Sequence, residues 1–286
     1  MNRRDVLKAG TAAAALAAWP GPARADEARW EKSFYVMDTW FWQSEKEFDP
    51  PAQAALLKKL GYGGMALSWG SRHAERRAAL KEAGLEVPGC YVVVDIDGGY
   101  PSHLAGGLAL LKDTTGIPWV ALTSKKHAKS DPAGDEAALS ILVRCAEESK
   151  AAGLGGLALY PHVGFWMEKV GDAVRLARKA GRADVGLQFN QYHWMVADRG
   201  QELRKTLEGA APYLKGVSIN GSGTRPSILP LGEGEYDVYP ILKALSELGY
   251  KGPVSHQGYS IKGNLPGRLE AAKAAWEKLK ARVKNG

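Results

Sequence analysis

Cysteine is nearly absent: the 286 residues contain two, Cys90 and Cys145. Two thiols cannot form a disulfide framework, and they belong to no zinc-spaced cluster. They are expected as two buried thiols. No later stretch is long and apolar enough to cross a membrane, which takes about 20 apolar residues. Blocks of lysine and arginine are also missing. The formal charge is +7, yet Arg3, Arg4, Lys8 and Arg24 against Asp5 lie in the first 25 residues, which leaves +4 on the rest. Tracking a phosphate backbone takes clustered basic residues, so nucleic acid is not indicated as a partner. A mildly basic surface can still attract an anionic sugar or sugar phosphate.

The chain opens with Arg3 and Arg4, an alanine-rich run over residues 9–19, and small residues around Ala23-Arg24-Ala25. A charged head, a short apolar middle and an A-x-A site make the layout of an export signal. The arginine pair resembles the twin-arginine type, with Val6 in place of the usual aromatic. Residues 1–25 are therefore expected to be a signal and residues 26–286 one domain, acting in the periplasm or outside the cell. Export also argues against a phosphorylated substrate, since such metabolites are largely cytoplasmic.

Eight short apolar runs follow, separated by helical stretches: SFYVMDTWFW, YGGMALSWG, VPGCYVVVDID, PWVALTS, GGLALYPH, VGLQFNQYHW, LKGVSINGSG and GPVSHQGYS. Phrases such as LKKLGYGGMALS and LKALSELGYKGPVSH repeat one grammar of helix, glycine stop, short loop and buried strand. Eight β and α units in alternation predict an α/β fold, a (β/α)8 barrel in a single domain of about 260 residues. Chemistry in such barrels sits at the strand C-termini. Longer connections follow the fourth run (residues 124–134) and the seventh (residues 220–236), where long loops shape sites.

Nearly every run ends in polar or aromatic residues. Five of the nine tryptophans, Trp40, Trp42, Trp69, Trp166 and Trp194, fall at or just past strand ends. Indole faces stack on the C–H faces of sugar rings, and the amides of Asn190, Gln191, Asn220 and Gln257 both donate to and accept from hydroxyls. Each of these residues also has an ordinary reading as barrel cap or loop support. His162, His193 and His256 also fall at strand ends. Imidazoles there can move protons or ligate Zn²⁺ or Mn²⁺, although their spacing has no i,i+4 lock.

The segments LALYPHVGFW, VGLQFNQYHW and SINGSG…PLGEGEYDVYPILKALSELGYKGPVSHQGYSIKG resemble the xylose isomerase-like TIM barrels, which include sugar and sugar-phosphate isomerases and epimerases. Within them PLGEGEYD resembles the family's G-x-G-x-x-D stretch before the seventh helix. The resemblance implies a divalent metal held by Glu, Asp, His and Glu at the ends of strands five to eight. The matching positions here are Tyr160, Asn190, Ser218 and Gln257, and all four depart from the pattern. Neutral hydroxyls and amides bring no charge to offset a dication. A histidine three residues after the family's Asp contacts substrate, and His193 keeps it.

The expectation is an exported sugar isomerase, epimerase or lyase-like enzyme with a remodelled site. His162 and His193 are its catalytic candidates; Asp38, Lys125 and Lys262 are lesser candidates for the base. Asp38, Trp40, Trp42, Trp69, Tyr160, Asn190, Asn220, Arg225, Gln257 and Lys262 are expected to bind substrate, and Lys262 or Arg225 to stabilise an oxyanion. His162, His193 and His256 are the alternative metal ligands. Two other readings stand beside it: a sugar-binding barrel without turnover, and a glycoside hydrolase using Asp38 with Asp95 or Asp97.

Overall fold

The computed structural model describes residues 34–70 and 72–286, so the export signal read in residues 1–25 lies outside the described residues. Eight parallel strands close into one barrel, each paired with its sequence neighbours and β1 with β8. They are β1 (Phe34–Met37), β2 (Gly64–Ser68), β3 (Gly89–Asp95), β4 (Ile117–Thr123), β5 (Leu157–Leu159), β6 (Val185–Asn190), β7 (Leu214–Ile219) and β8 (Val254–His256). The helices are α1 (Pro50–Lys59), α2 (His73–Glu82), α3 (Ser102–Leu111), α4 (Asp135–Ala151), α5 (Val170–Ala180), α6 (Gln191–Ala197), α7 (Leu203–Ala210), α8 (Tyr239–Glu247) and α9 (Leu265–Asn285). The (β/α)8 barrel expected from the repeat is the observed fold.

Local chemistry sets the helix ends. Asp49 caps α1 by accepting from Ala52 N (2.9 Å), with Pro50 and Pro51 in the first turn, where proline's missing N–H costs nothing. Gly181, at a φ of 62°, ends α5 in the left-handed conformation glycine adopts freely.

Alternation along the strands sorts side chains into two layers. The outward layer packs against the helices and forms the main core. There α9 lays Leu265, Leu269, Ala272 and Trp276 on the barrel, and Trp276 stacks on Phe34 with ring centroids 4.3 Å apart. Full burial of a large apolar side chain contributes about 2 kcal/mol. The inward layer is a smaller cluster of Met37, Ala66, Trp119, Ala121, Ala158 and Tyr160. Its β6–β8 side is polar: Gln188 donates to Ser218 Oγ (2.8 Å), and Ser255 is buried beside them in the sequence of inward positions. Gly89 makes room for this filling, since a Cβ there would collide with the Trp119 indole. Cys90 and Cys145 are both buried and free, as expected; burial pushes the Cys145 thiol up to about 12.

The same alternation corrects one expectation. Gln257 faces inward, so its neighbour His256 faces outward, stacked on Phe34 (5.8 Å) and against Trp40 (4.7 Å). Its Nε2 accepts from Leu231 N (3.0 Å), which leaves the proton on Nδ1. His256 is a core residue that anchors the loop after β7, and Trp40 is its apolar neighbour. Burial lowers the His256 pKa from 6.5 to about 3. The unfolded chain therefore takes up this proton before the folded one does, and stability falls as pH drops from 6.5 toward 3. In His256→Gln, which keeps an acceptor for Leu231, the loss of urea-unfolding stability between pH 7 and pH 4.5 should be smaller than in wild type.

Candidate active site

Where β6 ends, the sequence turns directly into helix. Asn190 Oδ1 accepts from His193 N (3.0 Å), an N-cap that starts α6 at Gln191. The QYHW segment, expected as a strand tail, is thus the first turn of α6, and His193 is fixed at its third position. The Asn190 amide nitrogen reaches the other way. It donates to the Tyr160 hydroxyl (2.6 Å) and to Gln257 Oε1. Three of the four positions that match the family's metal ligands are therefore hydrogen-bonded to one another. The fourth, Ser218, accepts from Gln188 and approaches the Met37 sulfur (3.8 Å).

This donor set does not fit a divalent metal. It carries no negative charge, and an amide N–H₂ points at the partners a cation would need. Burial pushes the Tyr160 phenol further up, beyond the ordinary range, so it stays neutral. Among the described residues no three histidine, cysteine, aspartate or glutamate side chains converge on a common point.

Above this network lies a cavity of about 370 Å³ lined by Met37, Thr39, Trp42, Ser68, Tyr91, Tyr160, His162, Val163, Tyr192, His193, Ile228, Gln257 and Tyr259. None of these residues is an acid, a lysine or an arginine. The walls are aromatic, with polar tips, as small-ligand sites usually are. Trp42 (45% exposed) and Tyr259 (51% exposed) meet edge to face at the rim, with centroids 6.0 Å apart.

Two histidines sit side by side in the wall, with ring centroids 4.0 Å apart. Both are bound by the main chain of one residue, Val163. His162 Nδ1 lies 2.8 Å from the Val163 carbonyl oxygen, which can only accept, so Nδ1 carries the proton. Val163 N–H donates to His193 Nδ1 (3.4 Å), so the His193 proton is on Nε2. Burial lowers both pKa values, and the neighbouring His162 lowers that of His193 further. At neutral pH the pair is uncharged and complementary: His162 offers a lone pair at Nε2, His193 an N–H at Nε2. Phe165 stacks on the His162 ring at 4.1 Å and holds its plane.

Of the residues expected at the site, Trp42, Tyr160, His162, His193 and Gln257 line this cavity, and Asn190 stands behind its wall. Asp38 and Trp69 line a neighbouring cavity instead. Asp38 is committed there: it accepts from Ser68 N (2.9 Å) and Ser68 Oγ (2.8 Å) and pairs with Arg76 (3.4 Å). Asn220 is a loop support, not a ligand contact; its amide donates to Gly221 O (2.7 Å) and Ser227 O (3.0 Å). Arg225 and Lys262 are exposed and line neither cavity. Trp40 and His256 belong to the outer core. The carboxylate pair of a hydrolase is also missing from this cavity, and Asp97 is spent on the β4–α4 loop, accepting from Lys125 N (2.7 Å) and Ser124 Oγ (2.8 Å). Tyr91, Tyr192, Tyr259 and Val163 were not anticipated. Tyr91 has a signal: it shares the inward parity of Gly89 on β3.

A family model described as xylose isomerase-like TIM barrel matches residues 54–281. The chain belongs to that family. Comparison with curated sequences finds no match. Solved structures share the fold at low identity. An L-ribulose 3-epimerase is 17% identical with a TM-score of 0.71, over 88% of this chain and 96% of its own. The 3-keto-D-glucoside 4-epimerase of E. coli is 15% identical with a TM-score of 0.67, over 87% and 99%. The D-allulose 3-epimerase of Methylomonas sp., in complex with D-allulose, is 17% identical with a TM-score of 0.66, over 88% and 97%.

Two measurements check the neutral network. Millimolar Mn²⁺, Mg²⁺ or Zn²⁺, and separately a chelator, should move the thermal midpoint by less than about 1 °C, because a bound ion would stabilise the folded state in proportion to its occupancy. Asn190→Leu should cost about 3 kcal/mol in urea unfolding, since it removes a helix cap and strands two buried partners.

Proposed function

We propose that the protein is a sugar isomerase or epimerase that moves a proton at a carbon next to a carbonyl, using the neutral pair His162 and His193. The observation that carries this reading is that the two rings meet opposite main-chain groups of Val163, a carbonyl and an N–H, in a cavity lined by no acid, lysine or arginine. His162 Nε2 takes the C–H proton. The C–H electron pair becomes the new C=C bond, and the carbonyl π pair moves to oxygen, where His193 Nε2–H meets the growing charge. For isomerisation the proton held by His162 passes to the neighbouring, former carbonyl carbon while the adjacent hydroxyl proton moves to the former carbonyl oxygen; for epimerisation the original carbon takes its new proton on the opposite face, from water, and His162 gives its own proton to solvent. Gln257 keeps its two N–H donors for substrate, and the Tyr160 and Tyr91 phenols add neutral hydroxyls. The epimerases that share the fold support a sugar substrate, as does the aromatic lining.

The aligned metal positions supply no step here. Their neutrality favours a second reading, a sugar-binding barrel without turnover, and one experiment separates the two. With a panel of aldoses and ketoses in D₂O, the wild-type protein should place deuterium at a sugar carbon, read by NMR. His162→Gln should lower that rate about 10²- to 10⁴-fold, and His193→Gln about 10²- to 10³-fold. Sugar binding without any exchange leaves only the binding barrel.

The pH profile follows from burial. The base must be unprotonated, and its pKa lies below 6.5. The exchange rate should be level through neutrality and fall only at pH below about 6.5, the ordinary imidazole value.

We further propose that the protein works outside the cytoplasm. The arginine pair and the A-x-A site support this. Protein recovered from a periplasmic extract should begin just after Ala25, and replacing Arg3 and Arg4 with lysine should hold the precursor inside.

A further inference from the structure

The cavity at the histidine pair does not end at Ser68 and Tyr91. Those two residues and Trp42 are shared with a second cavity of about 550 Å³, which continues toward Trp69, Val93 and His103. Each volume by itself falls in the range of small-molecule sites, about 300–1,000 Å³. A single hexose can occupy only one of them.

The second cavity differs from the first in chemistry. Its floor holds the buried guanidinium of Arg76 between Asp38 (3.4 Å) and Glu45. The guanidinium is matched by these two carboxyl groups, and burial raises the Asp38 pKa, so the wall offers no surplus positive charge to attract a phosphate or carboxylate. Its sides are aromatic: half-buried Trp69, stacked on His73 at 4.4 Å, and the exposed Trp42. Val93 stands 39% exposed on the inward row of β3, an apolar residue left open at a strand end. Aromatic faces beside a fixed carboxylate suit the two sides of an uncharged sugar ring: stacking for its C–H face, acceptors for its hydroxyls.

We propose that this second cavity is a subsite for a second, uncharged glycosyl unit. The substrate is then a neutral two-ring glycoside, with the reacting ring at His162 and His193 and its partner ring against Trp69. The inference rests on the sugar reading of the first cavity and adds to it the size and charge of what binds.

Calorimetry with the full-length mature protein tests it. The probes are glucose and galactose, the disaccharides maltose, cellobiose, trehalose and lactose, and glucose 6-phosphate. At least one disaccharide should bind about tenfold tighter than its monosaccharide, a gain of about 1.4 kcal/mol. Glucose 6-phosphate should bind no tighter than glucose. Trp69→Ala, which removes the platform, and Val93→Arg, which fills the cavity from an exposed position, should each bring the disaccharide-to-monosaccharide ratio close to one. Monosaccharides that bind as tightly as every disaccharide overturn this inference and leave the sugar reading standing. A ratio that both folded variants preserve also overturns it. Failure of every sugar to bind removes the sugar reading itself, and this inference with it.

Discussion

One primary amide, Asn190, sets the geometry on which the pocket depends. Its oxygen starts α6 and thereby places His193. Its nitrogen ties Tyr160 after β5 to Gln257 after β8. A side chain buried this deeply must satisfy all its polar atoms, and the neutral hydroxyl and amide around it do so without introducing charge. Strands that the barrel brings together only through its closure are thus locked at their tips by a single residue. The stiffness suits the proposed proton transfer, which depends on donor and acceptor positions to within fractions of an ångström.

The second fixed point is the backbone of Val163. A carbonyl cannot donate and an N–H cannot accept, so a main-chain unit assigns tautomers more firmly than a side chain that can rotate. The assignment here is opposite on the two rings, which turns two identical residue types into one acceptor and one donor. Burial keeps the pair neutral, and proximity adds that protonating either ring raises the cost of protonating the other, so the two do not both charge. A dication reaches a similar end, polarisation of an oxygen next to a base, by charge; this pocket has only hydrogen bonds and low polarity to work with.

Much of the architecture was legible because the barrel repeats itself eight times in helix stops and strand tails. The site was legible in part, and parity explains where it failed. Gln257 and His256 are neighbours, and a strand can turn only one of them to the inside; terminal position alone does not tell which. Tyr91 sits in GCYVVVD, a run largely apolar on both faces, where its parity with Gly89 is the one signal and is easily passed over. Asn220, Arg225 and Lys262 carry suitable chemistry, yet one is consumed by its own loop and two point to solvent, outcomes that residue type does not encode. Val163 acts through its main chain, which every residue possesses, so no motif could have singled it out. Asn190 as a helix start was readable from its type, but the strand pattern before it masked the change of period.

A pocket finished by amides and hydroxyls from its own chain is complete the moment folding ends. A site with charged ligands at these positions would face a maturation step, loading with an ion, and its output would follow whatever supply the surroundings allow. On the reading proposed above, nothing has to be acquired. Scarcity of metals, or a neighbour that sequesters them, would then leave its output unchanged.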